Sequence, residues 1–487
     1  MEITDLTPAE LRVWRAFPRG ETVDFRESPD EDTATGAEWG PERTVRARVL
    51  KALLLSAPQE EGEVPGLSLS GARVTGMLNL IHAVVDHAVR LVHCHFDEPL
   101  ELHSSRLRAL NLRDSVFPAL ALGNARIDSP LRLTRCRTRG PVKLGGIQTS
   151  GAVFLKEAEI RAPDAEVPAL QLNQAAIGHD FMAAGLRVYG ETRLNGATVA
   201  GKVNLESAEF HNPGGNALSA EALDANADVH ARGLRAYGRI ELRGARIAGR
   251  LDLSRSHLSH PGGTALRASS SVIGELWLYG GDRVEGVLNL RRAHIEVLSF
   301  GPEVLPAEVR INNLSFTTLT PHLPADQRLP MLERDGEGYV PYAYEQLTAA
   351  YRRIGDDRAA REVQLAKQLR HRATLPWYGR AWGHLQEVTV GYGFRPLRAA
   401  IWLLSLLATG TIAYGLHNPP ALKPSEAPQF NAVFYTLDLL LPVISFGQES
   451  AFAPRGGYQA LSYVLIITGW ILATTVIAGV TRSVSRQ

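Results

Sequence analysis

Asp438 lies inside an amphipathic stretch, residues 430–447, and Gln448 and Glu449 follow it directly. Carboxylates at the edge of an apolar segment suit one kind of chemistry. Repeated around an axis by several copies of a chain, Glu449 and Asp438 would ring a mouth with negative charge and favour cations. A second candidate is His93-Cys94-His95, with His82, His87 and Asp97 nearby. On a strand, however, His93 and His95 point one way and Cys94 the other, so the three do not converge on one metal ion. Cys94 reads as an inward core residue between two outward histidines, and Cys136 repeats the pattern between Arg135 and Arg137. No metal site is expected. A third candidate is basic. Arg187 and Arg235 recur 48 residues apart, and Arg239, Arg243, Arg246 and Arg250 crowd the same region. If stacked units align them, they form a stripe able to hold an acidic protein, anionic lipid head groups or a phosphorylated ligand. The alternative is a solvated, ion-paired surface.

The elements that would position these residues are legible in the spacing. Gly201-Lys-Val-Asn-Leu-Glu-Ser-Ala-Glu-Phe210 states a unit: Gly, x, apolar, x, Leu, two variable residues, Ala, x, apolar. It recurs from Gly249, Gly286, Gly190 and Gly238, and in outline from Gly140 and Gly76. A longer period overlies it, because Gly185-Leu-Arg-Val-Tyr-Gly190 returns as Gly233-Leu-Arg-Ala-Tyr-Gly238, and Pro213-Gly-Gly returns as Pro261-Gly-Gly. The offset of about 48 predicts two coils of about 24 residues each. Short alternating apolar runs with a small residue at a corner suit a parallel β-helix, with inward side chains stacked on those of the next coil. Residues 64–300 then make roughly ten coils, a rod about 50 Å long at about 4.8 Å per coil.

Stacked coils need capped ends. Residues 1–60 predict a helical N-terminal cap, with Thr7-Pro-Ala-Glu10 as a capping box and a second helix over about 42–56. The acidic, turn-rich 27–40 between them reads as a mobile loop. Residues 301–340 read as a Pro-rich connection, and 341–373 as a helix hairpin turning at Gly355.

Two apolar runs follow, at 396–416 and 458–480, each of about 20 residues and so able to cross a bilayer core of about 30 Å. Arginines flank the outer ends of both runs, Arg370 to Arg398 before the first and Arg482 and Arg486 after the second. The 418–457 segment between them holds Lys423 and Arg455 as its only lysine and arginine. By the positive-inside rule both termini are cytoplasmic, and the expected location is the cell membrane. A third crossing through 430–447 would bury Asp438 at a cost of about 3 kcal/mol and meet Pro442, so this stretch is expected to dip into the membrane and return.

Composition limits the function classes. The formal net charge of +1 argues against a chain whose whole surface grips nucleic acid, so no nucleic-acid partner is expected. Two cysteines imply no disulfide framework, and the first residues carry no secretory signal. No Gly-x-Gly-x-x-Gly opens a helix after a strand and no Cys-x-x-Cys pair exists, so the residues imply neither a cofactor nor an enzyme.

Four resemblances add expectations. The five-residue spacing between corner residues resembles the pentapeptide-repeat family, which implies a right-handed parallel β-helix. The 341–373 hairpin resembles a single tetratricopeptide unit. Span, dipping segment and span resemble the two-span pore-loop cation channels, in which a short pore helix ends in a Thr-Val-Gly-Tyr-Gly-Asp strand lined by carbonyls. That resemblance puts a pore helix at about 431–441 and a filter strand at Val443-Ile444-Ser445-Phe446-Gly447, with Ser445 where the family has a glycine. It also implies a homo-oligomer, a tetramer if the chain is a channel. A literal Thr389-Val-Gly-Tyr-Gly393 precedes the first apolar run and has no span before it, so it reads as a glycine turn. Over its whole length the chain resembles actinobacterial membrane proteins labelled "membrane-associated oxidoreductase", a label that implies redox activity. Together these readings give a membrane-tethered β-helix scaffold or sensor coupled to a candidate pore-loop channel. The alternative is a non-conducting anchor in the lipid bilayer that presents the β-helix as a binding surface.

Overall fold

The structure, a computed structural model, describes residues 5–56, 61–162, 166–377, 380, 396–423, 425, 427–441 and 445–484, with side chains at all of these except 396–400 and 473–484. The chain divides into two compact units, Met1–Gln346 and Leu347–Gln487.

The first unit is a parallel β-solenoid. Each coil contributes one arm to each of two 18-stranded sheets, and the pairings between named strands are parallel. One coil shows the design. Arg126–Ile127 and Leu131–Arg132 lie in the first sheet, and Arg137–Thr138 and Val142–Lys143 in the second. Ile127, Leu131, Leu133, Val142 and Leu144 are buried between the arms, while Arg126, Arg132 and Lys143 face outward.

The turn between arms explains the two variable residues of the repeat. In Leu205-Glu-Ser-Ala208 the Ala208 N–H donates to the Leu205 carbonyl at 3.0 Å, and Ser207 is left-handed at φ +55°. The same bond joins Ala197 to Leu194 across Gly196 at φ +65°. This geometry needs a positive φ at the third residue. The small residue after it packs inward, and Cys94 and Cys136 hold that place, stacked with Ser115 between them.

The coils are not uniform, which corrects the expected period of about 24. Arg187 pairs with Glu209, 22 residues on, and Glu209 pairs with Arg235, 26 residues on. The longer coil carries the Pro213-Gly-Gly loop, and the next coil passes beneath it through Gly238 at φ +129°. A Cβ at Gly238 would lie 2.3 Å from the Asn212 carbonyl oxygen. Gly286, at φ +126°, sits under the Pro261-Gly-Gly loop in the same way, and Gly190, at φ +118°, lies against the Ala162 carbonyl. Opposite this corner, the Asp180 carboxylate accepts the Lys202 N–H at 3.0 Å, and Asp228 accepts that of Arg250 at 2.8 Å, 48 residues later. The two-coil period is therefore built at both corners.

The solenoid also extends past the 64–300 repeat. Thr22–Asp24 pairs with Gly66–Ser70, and Thr44–Arg46 with Arg73–Thr75, so the N-terminal cap begins the sheets. At the other end Glu308–Arg310 and Ser315–Thr320 add a further coil within the expected connection.

Helix α1 (Pro8–Ala16) has the capping box of Thr7 and Glu10, and α2 (Ala47–Ser56) packs on the first coils. Glu10, inaccessible to solvent, also takes the Arg46 guanidinium at 2.5 and 2.6 Å. The acidic 27–40 segment is pinned rather than loose, because Glu31 binds Arg43 bidentately at 2.6 and 2.7 Å and Asp32 pairs with Arg137. Arg43 also donates to the Gly71 carbonyl and lies over the Trp39 ring. Helix α3 (Ala325–Glu333) closes the far end, where buried Arg328 donates to the carbonyls of Phe300 and Pro321.

The second unit is helical. Helix α4 (Pro341–Arg353) leads into it, turns at Gly355 (φ +80°), and α5 (Asp357–Thr374) follows. Helices α6 (Pro396–Leu416), α7 (Ala432–Leu440) and α8 (Gly457–Val484) pack together. Among the described residues no helix is long and apolar enough to cross a membrane. The second apolar run, 458–480, continues past Leu472, outside the residues whose side chains are described.

Candidate functional site

The α6–α7–α8 module is assembled around two tyrosines. Tyr414 and Tyr435 are buried edge to face at 4.9 Å, with Leu439, Leu440, Phe452 and Leu465 completing the core. The Tyr414 hydroxyl donates to the Tyr458 carbonyl at 3.0 Å, so its polar end is satisfied. Short α7 can sit between the longer helices because each offers it a glycine. A Cβ at Gly410 would lie 2.3 Å from Thr436 Cγ2, and one at Gly469 would lie 2.4 Å from the Leu440 carbonyl oxygen. Small residues at helix crossings allow such close approach.

Asn431 caps α7, its side chain accepting from Val433 and Phe434 at 3.0 and 3.3 Å. The helix covers the segment where the pore-helix expectation falls. Asp438, 5 % exposed, does not project as a free charge. Its carboxylate accepts three backbone N–H groups, from Phe446, from Gln448 at 2.7 Å and from Glu449 at 3.1 Å. Gln448, also buried, completes the brace. Its amide oxygen accepts from the Asn431 N–H and its amide nitrogen donates to the Gln429 carbonyl, both at 3.2 Å. The turn after α7 is thus fastened to both the end and the start of that helix.

Ser445, Phe446, Gly447 and Glu449 are exposed on this turn, and Gly447 is its left-handed residue at φ +80°. Phe446 lies 5.2 Å from Phe434, centroid to centroid. Val443 and Ile444 lie outside the described residues, as does Thr389-Val-Gly-Tyr-Gly393. Spacing alone flagged Asp438 and Glu449, but it missed Gln448, Gly410 and Gly469. An Asn before an apolar run is a readable cap signal, whereas a Gln seventeen residues further on is not.

The six surface arginines do not form one stripe, and Arg250 lies on the first sheet, paired with Glu275 at 2.9 Å. Arg187 and Arg235 belong to one ladder, but Glu209 stands between them and pairs with both, at 3.9 and 2.9 Å. Arg243 pairs with Glu221 at 2.5 Å. Arg239 lies opposite Asn216, its Nε buried without a partner, and Arg246 is on the other sheet, next to Asp224. Beside the first ladder runs a second, in which His211 is stacked between Tyr189 and Tyr237 at 4.8 and 4.7 Å.

The histidine cluster is largely divided among other partners, although His95 Nε2 and Asp97 lie 3.8 Å apart. His93 faces Asp114 at 3.4 Å, His95 meets the Thr33 carbonyl at 3.2 Å, and Asp97 pairs with Arg73 at 2.9 Å. His93 lies in a left-handed turn (φ +50°) rather than on a strand. Burial lowers its affinity for a proton, and nearby Asp114 only partly offsets that effect. Burial pushes the Cys94 thiol up to about 12 and that of Cys136 higher still, so both are poor nucleophiles and poor metal ligands. Among the described residues no group of three or more His, Cys, Asp or Glu could hold a metal ion.

Compared with known proteins, the chain matches no family model, no curated protein and no solved structure.

Proposed function

We propose that this chain is a membrane-tethered solenoid scaffold or sensor, right-handed in its coil, whose α6–α7–α8 module assembles as a homo-oligomer around a pore-loop-like turn. The observation that carries the reading is the reversed polarity of that module. Ile401, Leu404 and Ile412 on α6 and Val464, Ile467 and Trp470 on α8 are each more than half exposed, while Thr436 and Asp438 are buried. A water-soluble bundle has the opposite distribution, and a continuous apolar exterior of this kind suits lipid. A buried carboxylate in such a module needs hydrogen-bond partners of its own, and Asp438 has three.

The braced turn supports the pore part of the reading. Phe446 and Gly447 hold the places of the Tyr-Gly pair in a filter strand and lie exposed on a turn fixed from behind by Asp438 and Gln448. One subunit does not enclose a pore, so copies must meet at this turn, with Glu449 near the mouth. Ser445 takes the place of a filter glycine, and no potassium selectivity is proposed. Reconstitution of the full chain in planar bilayers tests the reading. Cation currents that fall on Glu449→Gln support it, whereas quantitative membrane insertion without conductance removes the pore and leaves the anchor.

One observation favours that second reading, an anchor presenting the solenoid to a partner. Several arginines of the second sheet are neutralised by glutamates, so its surface is patterned rather than uniformly basic. If charge reversal at Arg235 and Arg243 leaves the set of co-purifying proteins unchanged, that sheet is not the binding surface.

A further inference from the structure

The first sheet carries arginines of a different kind. Arg106 and Arg126 lie directly opposite each other on neighbouring strands, and Arg108 follows on the same strand as Arg106. Like charges directly opposite destabilise a sheet. The second-sheet ladder avoids this by alternating Arg187, Glu209 and Arg235. Among the described residues Asp128, 3.7 Å from Arg106, is the one carboxylate within ion-pair distance of that group, and none lies within it of Arg108 or Arg126.

Arg126 opens onto a groove of about 450 Å³ that crosses the coils from Arg126 to Asn226. The groove exists because Ala176, Gly178 and Ala200 leave the middle of the face low. Gly178 cannot be enlarged, since a Cβ there would lie 2.7 Å from the Ser150 carbonyl oxygen. Around this apolar floor stand Gln148, Ser150, Thr198 and Asn226, whose side chains make no hydrogen bond to the described residues. The groove is open to solvent along one side, so it suits a polar ligand held by charge and hydrogen bonds rather than an apolar one.

We propose that this groove binds a phosphorylated polyol at its Arg126 end, with its phosphate on Arg126 and Arg106 and its hydroxyls on Gln148 and Ser150 of the next coil. A single carboxylate is satisfied by one guanidinium fork, whereas a phosphate dianion offers enough oxygens for two. Arg106 and Arg126, opposite each other on neighbouring strands, present two such forks to one phosphate. The low floor accommodates the C–H face of the polyol ring. Such a group is carried by a soluble sugar or cyclitol phosphate or by a lipid head group.

The test is a calorimetric titration of the purified full-length chain with inositol trisphosphate, inorganic phosphate and unphosphorylated inositol. Saturable binding of the trisphosphate is expected, with inorganic phosphate at least about tenfold weaker and inositol alone weaker still. Arg126→Ala should weaken binding about tenfold or more, and Gln148→Leu about threefold to tenfold. Arg235→Ala should leave it unchanged. Because Arg126→Ala removes a like-charge pair, it should melt no lower than the parent, which separates lost binding from lost fold. Vesicles of phosphatidylinositol 4-phosphate in phosphatidylcholine, added as competitor, identify the source. Displacement assigns a membrane head group, and no displacement assigns a free ligand. Absence of saturable binding overturns the proposal. So does equal affinity for inorganic phosphate, or equal loss in Arg126→Ala and Arg235→Ala, since either reduces the site to general surface charge.

Discussion

The carboxylate of Asp438 accepts the backbone N–H of Gln448 at 2.7 Å, and through that bond the last turn of α7 holds the chain that follows it. The same carboxylate takes two further N–H groups, so removing it strands three buried or part-buried donors at once. Asp438→Ala should destabilise the helical unit by about 3 kcal/mol or more. Asp438→Asn, which keeps one carbonyl oxygen, should cost less. Hydrogen exchange at Phe446, Gln448 and Glu449 is the check: these amides should lose protection first, while those of the solenoid are unchanged.

Gly410 and Gly469 should tolerate no side chain. A Cβ at either position would lie within 2.4 Å of an atom of α7, and at Gly469 that atom is backbone. Gly469→Val should separate α7 from α8 and expose the Tyr414–Tyr435 pair. A red shift of tyrosine-to-tryptophan energy-transfer emission or a loss of thermal unfolding cooperativity in detergent would report it. A variant that melts like the parent would contradict the packing.

Two glutamates should give the solenoid opposite pH responses. Burial alone would raise the Glu10 carboxyl, but hydrogen bonds from Arg46 and the Thr7 N–H outweigh it and hold the group below the ordinary carboxylate range. The stability it contributes is therefore present above that range and lost as pH falls through the lowered folded value. Glu241, 3 % exposed with Oε1 unpartnered, is pushed up by burial against the weaker pull of Arg267. Its folded form is favoured while protonated, and stability declines as pH rises through the raised value. Glu241→Gln should thus stabilise at pH 7 by about 1 kcal/mol. Glu10→Gln should destabilise at pH 7 and flatten the acid limb. Melting temperature against pH for both variants checks the signs.

Left-handed corners allow a stabilising substitution to be chosen in advance. Ala222 sits at φ +53°, where a Cβ costs about 1–2 kcal/mol, so Ala222→Gly should raise stability by about 1 kcal/mol. Gly238→Ala should do the reverse, because its Cβ meets the Asn212 carbonyl oxygen at 2.3 Å. Chemical denaturation of the two variants should therefore move in opposite directions.

The solenoid was legible because its inward residues must be apolar and its turns must place a small residue after a left-handed one, as Leu205 to Ala208 shows. The alternation of 22 and 26 was not, since a 48-residue offset is also two equal coils. Only the placement of Pro213-Gly-Gly above Gly238 separates the cases. The Arg187–Arg235 stripe failed for the same reason, because the coil between them inserts Glu209. The acidic 27–40 segment looked solvated because its partners, Arg43 and Arg137, are remote in sequence or hidden in the fold. In the helical unit the apolar runs, the short helix at about 431–441 and the isolated Asp438 were visible. What Asp438 bonds to was not, because backbone N–H groups leave no mark on composition.

The central claim is that copies of this chain meet at the turn after α7. Native mass spectrometry of the full-length chain released from lipid nanodiscs tests it most directly, with Gly447→Trp as the matched variant at that turn. A closed assembly is expected, of four chains if the turn lines a pore, and Gly447→Trp should disperse it without unfolding the solenoid. A parent protein that leaves the nanodisc as a single chain would contradict it.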